Sequence, residues 1–309
     1  MTNLDLIKNK YEEISKDTWC KNDGGSCYCI NKKVIQAHEI PGCHFAEETV
    51  GKVLKLTVTI DEKVQIEKPL TFCFGISSAS YKQELDVTIN VGAGARAHLN
   101  AYCIFPVAQS AHHMLGTFNV GAGAHLTYSE THDHGVTGAD VHADIKINIA
   151  EGGVCHTNLR ATTNRQGKMN MNYKNFLGDQ AKAIVNAMVI GKADDSIIIA
   201  EEAVLKGIEA KAQLTSRLGL SGASSGLVKG TIKALGSHSF GHLDCVEIIA
   251  DQATAEAKPG IKVANPTARV THEAVVGRVN NTQLETLLSR GFNEEEATDI
   301  IVRGMMGIL

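Results

Sequence analysis

Polar and apolar residues alternate along much of this chain in short runs. In "DIKINI" the three isoleucines Ile145, Ile147 and Ile149 fall on one face, the period-2 signature of a half-buried strand. Gly-Ala turns separate such runs, as in "LDVTIN", "VGAGA", "RAHLNAYCI". The unit recurs. "NVGAGARAHLNAYC" begins at Asn90, "NVGAGAHLTYSETH" at Asn119 and "NIAEGGVCHTNLRA" at Asn148, each 29 residues after the last. Self-similarity at a fixed period of this size marks a repeat architecture. Short strands cannot bury their apolar face alone, whereas stacking one unit on the next buries it in a quasi-one-dimensional solenoid. The pattern predicts an all-β chain with a β-solenoid over residues 51–280. The signal fades after about residue 175, although "GDQAKAIVNAMVIG" and "GIEAKAQLTSRLGLSG" keep the rhythm. The competing arrangement, an antiparallel sandwich of hairpins, does not account for three units in constant register.

The flanks carry a different period. Ile7, Tyr11 and Ile14 have helical spacing, so residues 1–50 are read as a short amphipathic helix followed by an irregular, cysteine-containing segment. Residues 281–309 form a C-terminal helical segment. "NNTQLETLLSRG" turns Leu284, Leu287 and Leu288 inward and stops at Gly291. A second helix starts at Asn293 with Glu296 three residues on, a capping box. Its apolar face is Ala297, Ile300, Ile301 and Met305. Little chain remains to cover that face, so these helices fold back on the solenoid or dock on another protein.

Composition narrows the function. The chain has 309 residues, 43% apolar, with 5% aromatics and 29 glycines, which suits thin stacked layers. A net charge of −4 with no basic stripe argues against nucleic acid as a ligand. The N-terminus lacks the apolar core of a secretory signal, and no run is long enough to span a membrane, so a soluble, cytoplasmic protein is expected. In that compartment the eight cysteines are thiols or metal ligands rather than a disulfide frame.

Several clusters invite chemistry. "ETHDHG" puts His132 and His134 on one strand face, a two-ligand start for zinc that lacks further ligands locally and reads more readily as a solvated loop or rung surface. Cys20, Cys27 and Cys29 in "WCKNDGGSCYC" do not have the spacing of a zinc knuckle and form a weak metal candidate. The VGAGA units lie between strands with no helix after them, so they are not phosphate cradles. A carbohydrate-cleaving β-helix needs paired carboxylates on one exposed face, and the acidic residues here are scattered. Near the end of the repeat, Cys245 precedes His272 and Glu273 by about one solenoid turn, which places them on adjacent rungs. His272 and Glu273 point to opposite faces of their strand. A buried cysteine, a rung-capping histidine and a surface glutamate account for this cluster as well as a site does.

The motifs "HLDC", "NPTARVTHEAVVGRV" and "QLETLLSRGFNEEEATDIIVRG", spanning residues 242–304, together resemble the C-terminal region of the SufB/SufD family of iron–sulfur cluster assembly scaffolds. The resemblance implies a right-handed parallel β-helix, a homodimer through its C-terminal strands, and a transient iron–sulfur cluster built at that interface. It assigns Cys245, Glu273 and His272 to the cluster. In the two-protein version one chain brings the cysteine and glutamate and the other the histidine, whereas this chain holds all three. It also implies an ABC-type ATPase of the SufC kind, docked on Ile300, Ile301 and Met305. The chain would then be a non-catalytic scaffold. The alternative is a structural subunit that binds the ATPase but no cluster.

Overall fold

A computed structural model describes residues 2–19 and 24–307. Two parallel sheets run back to back, and the chain passes from one to the other at every turn. The first sheet contains, in spatial order, β2 (Lys33–His38), β1 (Ser26–Ile30), β5 (Leu70–Gly75), β7 (Arg96–Ile104) and β9 (His125–Asp133). It continues through β11 (Val154–Ala161), β13 (Lys182–Gly191), β15 (Lys211–Leu220), β17 (Phe240–Ile249) and β20 (Arg269–Arg278). The second contains β3 (Cys43–Val50), β4 (Val53–Ile60), β6 (Lys82–Val91), β8 (Ala111–Val120) and β10 (Ala139–Ile149). After these come β12 (Gly167–Leu177), β14 (Ser196–Leu205) and β16 (Ser225–Ala234), and then the short β18 (Thr254–Ala257) and β19 (Gly260–Val263), which both pair with β16. Pairing is parallel except for β1–β2 and β3–β4, two antiparallel hairpins at the N-terminal end. The architecture is the expected β-solenoid with helical flanks.

The alternation read from the sequence is the burial pattern. Along β6 every second residue, Leu85, Val87, Ile89 and Val91, enters the lumen. Each turn stacks on the next in strict register, so Asn90 pairs with Asn119 and Asn119 with Asn148. Their amides form an outward ladder, Asn119 Nδ2 to Asn90 Oδ1 at 2.9 Å and Asn148 Nδ2 to Asn119 Oδ1 at 2.9 Å. The next turn is one residue shorter, and Phe176 rather than an asparagine pairs with Asn148.

The glycine motif fades for a separate reason. Gly94, Gly123 and Gly152 hold a left-handed corner at φ of 68, 62 and 64°. The equivalent corners of the following turns are Gln180, Glu209 and His238, at φ of 54, 56 and 55°. The backbone device persists after its residue signature is lost.

The described part of segment 1–50 is more regular than its sequence pattern predicts. Helix α1 (Asn3–Ser15) is closed by a Thr2–Asp5 capping box. Ile7 and Tyr11 pack on Tyr28, Cys73 and Ile104, covering the outer face of β1, β5 and β7. Cys27 and Cys29 therefore do not lie in an irregular loop. They sit in β1, which the solenoid extends over by pairing it with β5, and every residue of that strand is buried.

At the other end α2 (Asn281–Leu288) and α3 (Glu294–Met305) follow β20. Asn293 and Glu296 form the expected capping box. Helix α3 folds back on the outer face of the first sheet. Val302 and Met306 rest on the register column Ile190–Gly219–Ile248. A Cβ on Gly219 would lie 2.4 Å from Val302 Cγ1 and 2.6 Å from Met306 Sδ, so this column admits the helix only because its middle position is glycine. Lys192 Nζ reaches Asp299 at 2.8 Å, and Arg303 donates to the Thr162 carbonyl at 2.6 Å. No helix among the described residues is long and apolar enough to cross a membrane.

Replacing Gly219 with valine should push α3 off the sheet. We expect a loss of about 1–3 kcal/mol in denaturant unfolding, with new protease cleavage confined to residues after 280.

Candidate functional site

Strand alternation and rung stacking fix where the chemistry-bearing residues go. In β17 the lumen-facing set is Gly241, Leu243, Cys245 and Glu247. On β20 above it, His272 pairs with Leu243, Glu273 with Asp244 and Ala274 with Cys245. His272 thus shares the lumen side with Cys245, one rung up and diagonal to it. Glu273 lies on the outer side, over Asp244, whose carboxylate is held by Arg217.

Cys245 is 2% exposed. Burial, reinforced by Glu247, Glu201 and Asp244, pushes its thiol up to about 12. In the isolated chain this is a protonated, sealed thiol, not a nucleophile. Beneath it in register is Ser216, whose hydroxyl donates to Glu201 Oε2 at 3.0 Å. Glu201 Oε1 and both carboxylate oxygens of Glu247 have no hydrogen-bond partner. Burial raises both acids to about 7. Sequence reasoning missed these two glutamates, yet the signal was there. In "IIIAEEAVL" and "HLDCVEII" each falls in phase with lumen-facing Ile199 and Cys245, where the pattern calls for an apolar residue.

The rung that carries His272 and Glu273 is the open end of the solenoid. One edge of β20 pairs with β17, and among the described residues no strand pairs with the other. Val275 and Val276 are 53% and 52% exposed, and Ile261 and Val263 of β19 are also exposed. An edge strand of ten residues with exposed valines is a template for pairing with another chain.

The other sequence candidates fall elsewhere. Ile301 is 8% exposed and packs inward, so it is not on a docking stripe with Ile300 and Met305, each 43% exposed. The reason is helical phase. Val302 and Met306 are the residues that meet the sheet, which turns Ile301 to the seam with α2. There it lines a groove of about 350 Å³ with Leu287 and Met305. Leu288, expected inward, is exposed. Cys20 lies outside the described residues. The Cys27 and Cys29 thiols are buried 3.7 Å apart, and neither is grouped with a third metal-competent side chain among the described residues. His132 and His134 are also buried, not on a solvated surface: β9 turns His132 into the lumen, and His134, just beyond the strand, stacks on Phe105 and hydrogen-bonds to the Gln166 carbonyl.

Residues 74–305 match the family described as SUF system FeS cluster assembly, SufBD core domain. The chain belongs to the SufBD family. An iron-sulfur cluster assembly SufBD family protein of Methanocaldococcus jannaschii is 32% identical over 265 residues, covering 85% of this chain and 84% of that protein. One from Pyrococcus horikoshii is 28% identical over 276 residues, covering 89% and 84%. The SufBD match begins in β5 and ends in α3, so it takes in Cys245, Glu247, His272 and Glu273 and leaves out α1 and the two hairpins.

Glu201 gives a pH test of the lumen. Its folded value of about 7 exceeds the ordinary 4.5, so the folded chain holds a proton that the unfolded chain releases. Stability should therefore fall as pH rises from 4.5 to 7. Glu201→Gln should flatten part of that fall and unfold on the order of 2–3 kcal/mol later than the parent chain at pH 8, with little difference near pH 4. Denaturant titrations at the two pH values measure it.

Proposed function

We propose that this SufBD chain is a non-catalytic scaffold that holds a nascent iron–sulfur cluster at a homodimer interface and works with an ABC-type ATPase. The observation that carries the reading is the half-built character of the end rung. His272 and Glu273 stand on a strand whose outer edge has no partner among the described residues, one rung above Cys245, and a second copy pairing with that edge would close the site. The cysteine supplies a sulfur acceptor and a soft iron ligand, and the imidazole and carboxylate complete a ligand set weak enough to release its cargo. Cys27, Cys29, Cys43, Cys103, Cys155 and Cys245 carry free thiols, as in a reducing cytoplasm.

Burial of Cys245 requires a movement before it can act. Ile248, three residues along β17 and on the outer face, carries Val302 of α3 and Met306 at its C-cap. An ATPase seated on the exposed Ile300 and Met305 would pull on the strand that holds the thiol. The same burial favours one competing reading, a structural subunit that binds the ATPase and no cluster.

Anaerobic reconstitution with ferrous iron and sulfide separates the two. The scaffold develops visible cluster absorbance, Cys245→Ser abolishes it, and His272→Ala and Glu273→Ala retain less iron. Mixed Cys245→Ser and His272→Ala chains should regain part of the absorbance if one site spans two chains. Absorbance unchanged in Cys245→Ser would overturn the assignment, and a colourless parent chain that retains the ATPase would favour the structural subunit.

For the docking helices, Ile300→Glu should abolish ATPase co-purification with unfolding unchanged. Ile301→Glu should cost about 2–4 kcal/mol of stability, because it buries a charge between helices.

A further inference from the structure

The lumen of the N-terminal half contains a second polar cluster, remote from the end rung. Cys103 of β7 and His132 of β9 are register partners, both facing inward. Glu130 precedes His132 by two residues and so faces the same way. Their ligand atoms, the Cys103 thiol, a Glu130 carboxylate oxygen and a His132 ring nitrogen, all lie within 4.8 Å of one another. In the lumen column, Glu130 is four rungs from Cys245 by way of Leu159, Ala187 and Ser216. That separation is about 19 Å at the ordinary strand spacing.

The hydrogen bonds around the cluster determine what His132 offers. The Gln166 carbonyl can only accept, so His134 Nδ1, 3.0 Å away, carries a proton and donates it. In the neutral ring His134 Nε2 is then bare and accepts from His132 Nδ1 at 3.0 Å. That leaves His132 Nε2 as a lone pair. It is buried and has no hydrogen-bond partner. It stands 3.6 Å from Glu130 Oε2, too far for a good hydrogen bond. A tetrahedral ion with bonds of about 2.1 Å would separate its nitrogen and oxygen ligands by about 3.4 Å. Glu130 is itself oriented by two hydroxyls, Tyr173 on Oε1 and Tyr128 on Oε2. Both metal-competent groups therefore have the supporting contacts that hold ligands in metal sites.

We propose that Cys103, Glu130 and His132 bind one divalent transition-metal ion of borderline softness, zinc or ferrous iron, at a site distinct from the Cys245 end. One thiolate and one carboxylate neutralise the ion's two charges, which removes the main cost of burying them. The Cys103 thiol loses its proton to solvent as the metal–sulfur bond forms. The ion would tie β7 to β9 inside the lumen and would stay in place while a labile cluster comes and goes at the other end. The site rests on the lumen geometry alone and does not require the cluster reading.

The test uses the full chain carrying Cys245→Ser, which removes the end-rung thiol. It is expressed in media supplemented with zinc, with ferrous iron under anaerobic conditions, or with cobalt, and metal is counted after gel filtration. We expect one ion per chain with zinc or iron, and which of them is retained identifies the metal. Adding Cys103→Ser or His132→Gln should cut occupancy at least tenfold, and His134→Gln should weaken retention by about ten- to a hundredfold. The cobalt form should show thiolate-to-metal charge-transfer absorption that disappears with Cys103→Ser. If the substituted chains do not fold, X-ray absorption of the zinc or iron form must show one sulfur with the remaining neighbours nitrogen or oxygen. A chain without metal from all three media would overturn the proposal. So would occupancy indifferent to Cys103 and His132, or a first shell without sulfur.

Discussion

The parallel backbone ladder between turns is the interaction on which the rest of this molecule depends. Each turn hydrogen-bonds to the one below in a register set mostly by a 29-residue step, as in Ser216 under Cys245 under Ala274. An odd step would move a side chain to the other face if the chain simply ran straight. Here each step contains two strands and two corners, and the corners absorb the difference. The left-handed residues at Gly152, Gln180, Glu209 and His238 keep every turn in phase. Where the step shortens to 28, at Asn148–Phe176, parity survives and only the identity of the ladder residue changes.

Strict parity explains why polar groups in the lumen are informative. A solenoid interior is made of columns, and a buried glutamate in a column has only the residues above, below and opposite to meet. Glu201 and Glu247 meet a serine, a cysteine and apolar side chains, so they retain orphan oxygens and hold protons up to neutral pH. Glu130 meets two tyrosines and a histidine and is held in place. Most of the apolar core around them is Leu, Ile, Val and Ala, with some Phe, Met and Cys.

The ends are where the ladder has to stop. At the N-terminal end, two antiparallel hairpins and α1 cover the first turn, and β1 and β5 are buried on both faces. Among the described residues no equivalent covering lies over β20, and the exposed valines there are the consequence. Helix α3 does not shield that edge. It lies on the outer face, locked by Gly219 and by the Lys192–Asp299 pair. The chain thus carries its unfinished hydrogen-bonding edge on the rung that holds His272 and Glu273.

Sequence by itself determined the solenoid, the N-terminal capping box of α3 and the adjacency of Cys245 to the His272–Glu273 rung. Each follows from a local period, and a period survives in one dimension. The motifs of the final rungs also led to the SufBD family. Tertiary structure decided the matters in which distance along the chain carries no information. It decided that Ile301 faces α2 while Val302 and Met306 meet the sheet, because the choice depends on the Ile190–Gly219–Ile248 column contributed by three separate turns. It took Cys27 and Cys29 into the lumen, because β1 stacks on β5, while α1 covers Tyr28 on the other face of the same strand. It also brought Cys103 to Glu130 and His132 across 29 residues, joining a lone cysteine in one turn to a histidine in the next. Periodicity reports which face a residue takes, but the neighbour it meets there is chosen by the packing of turns against each other.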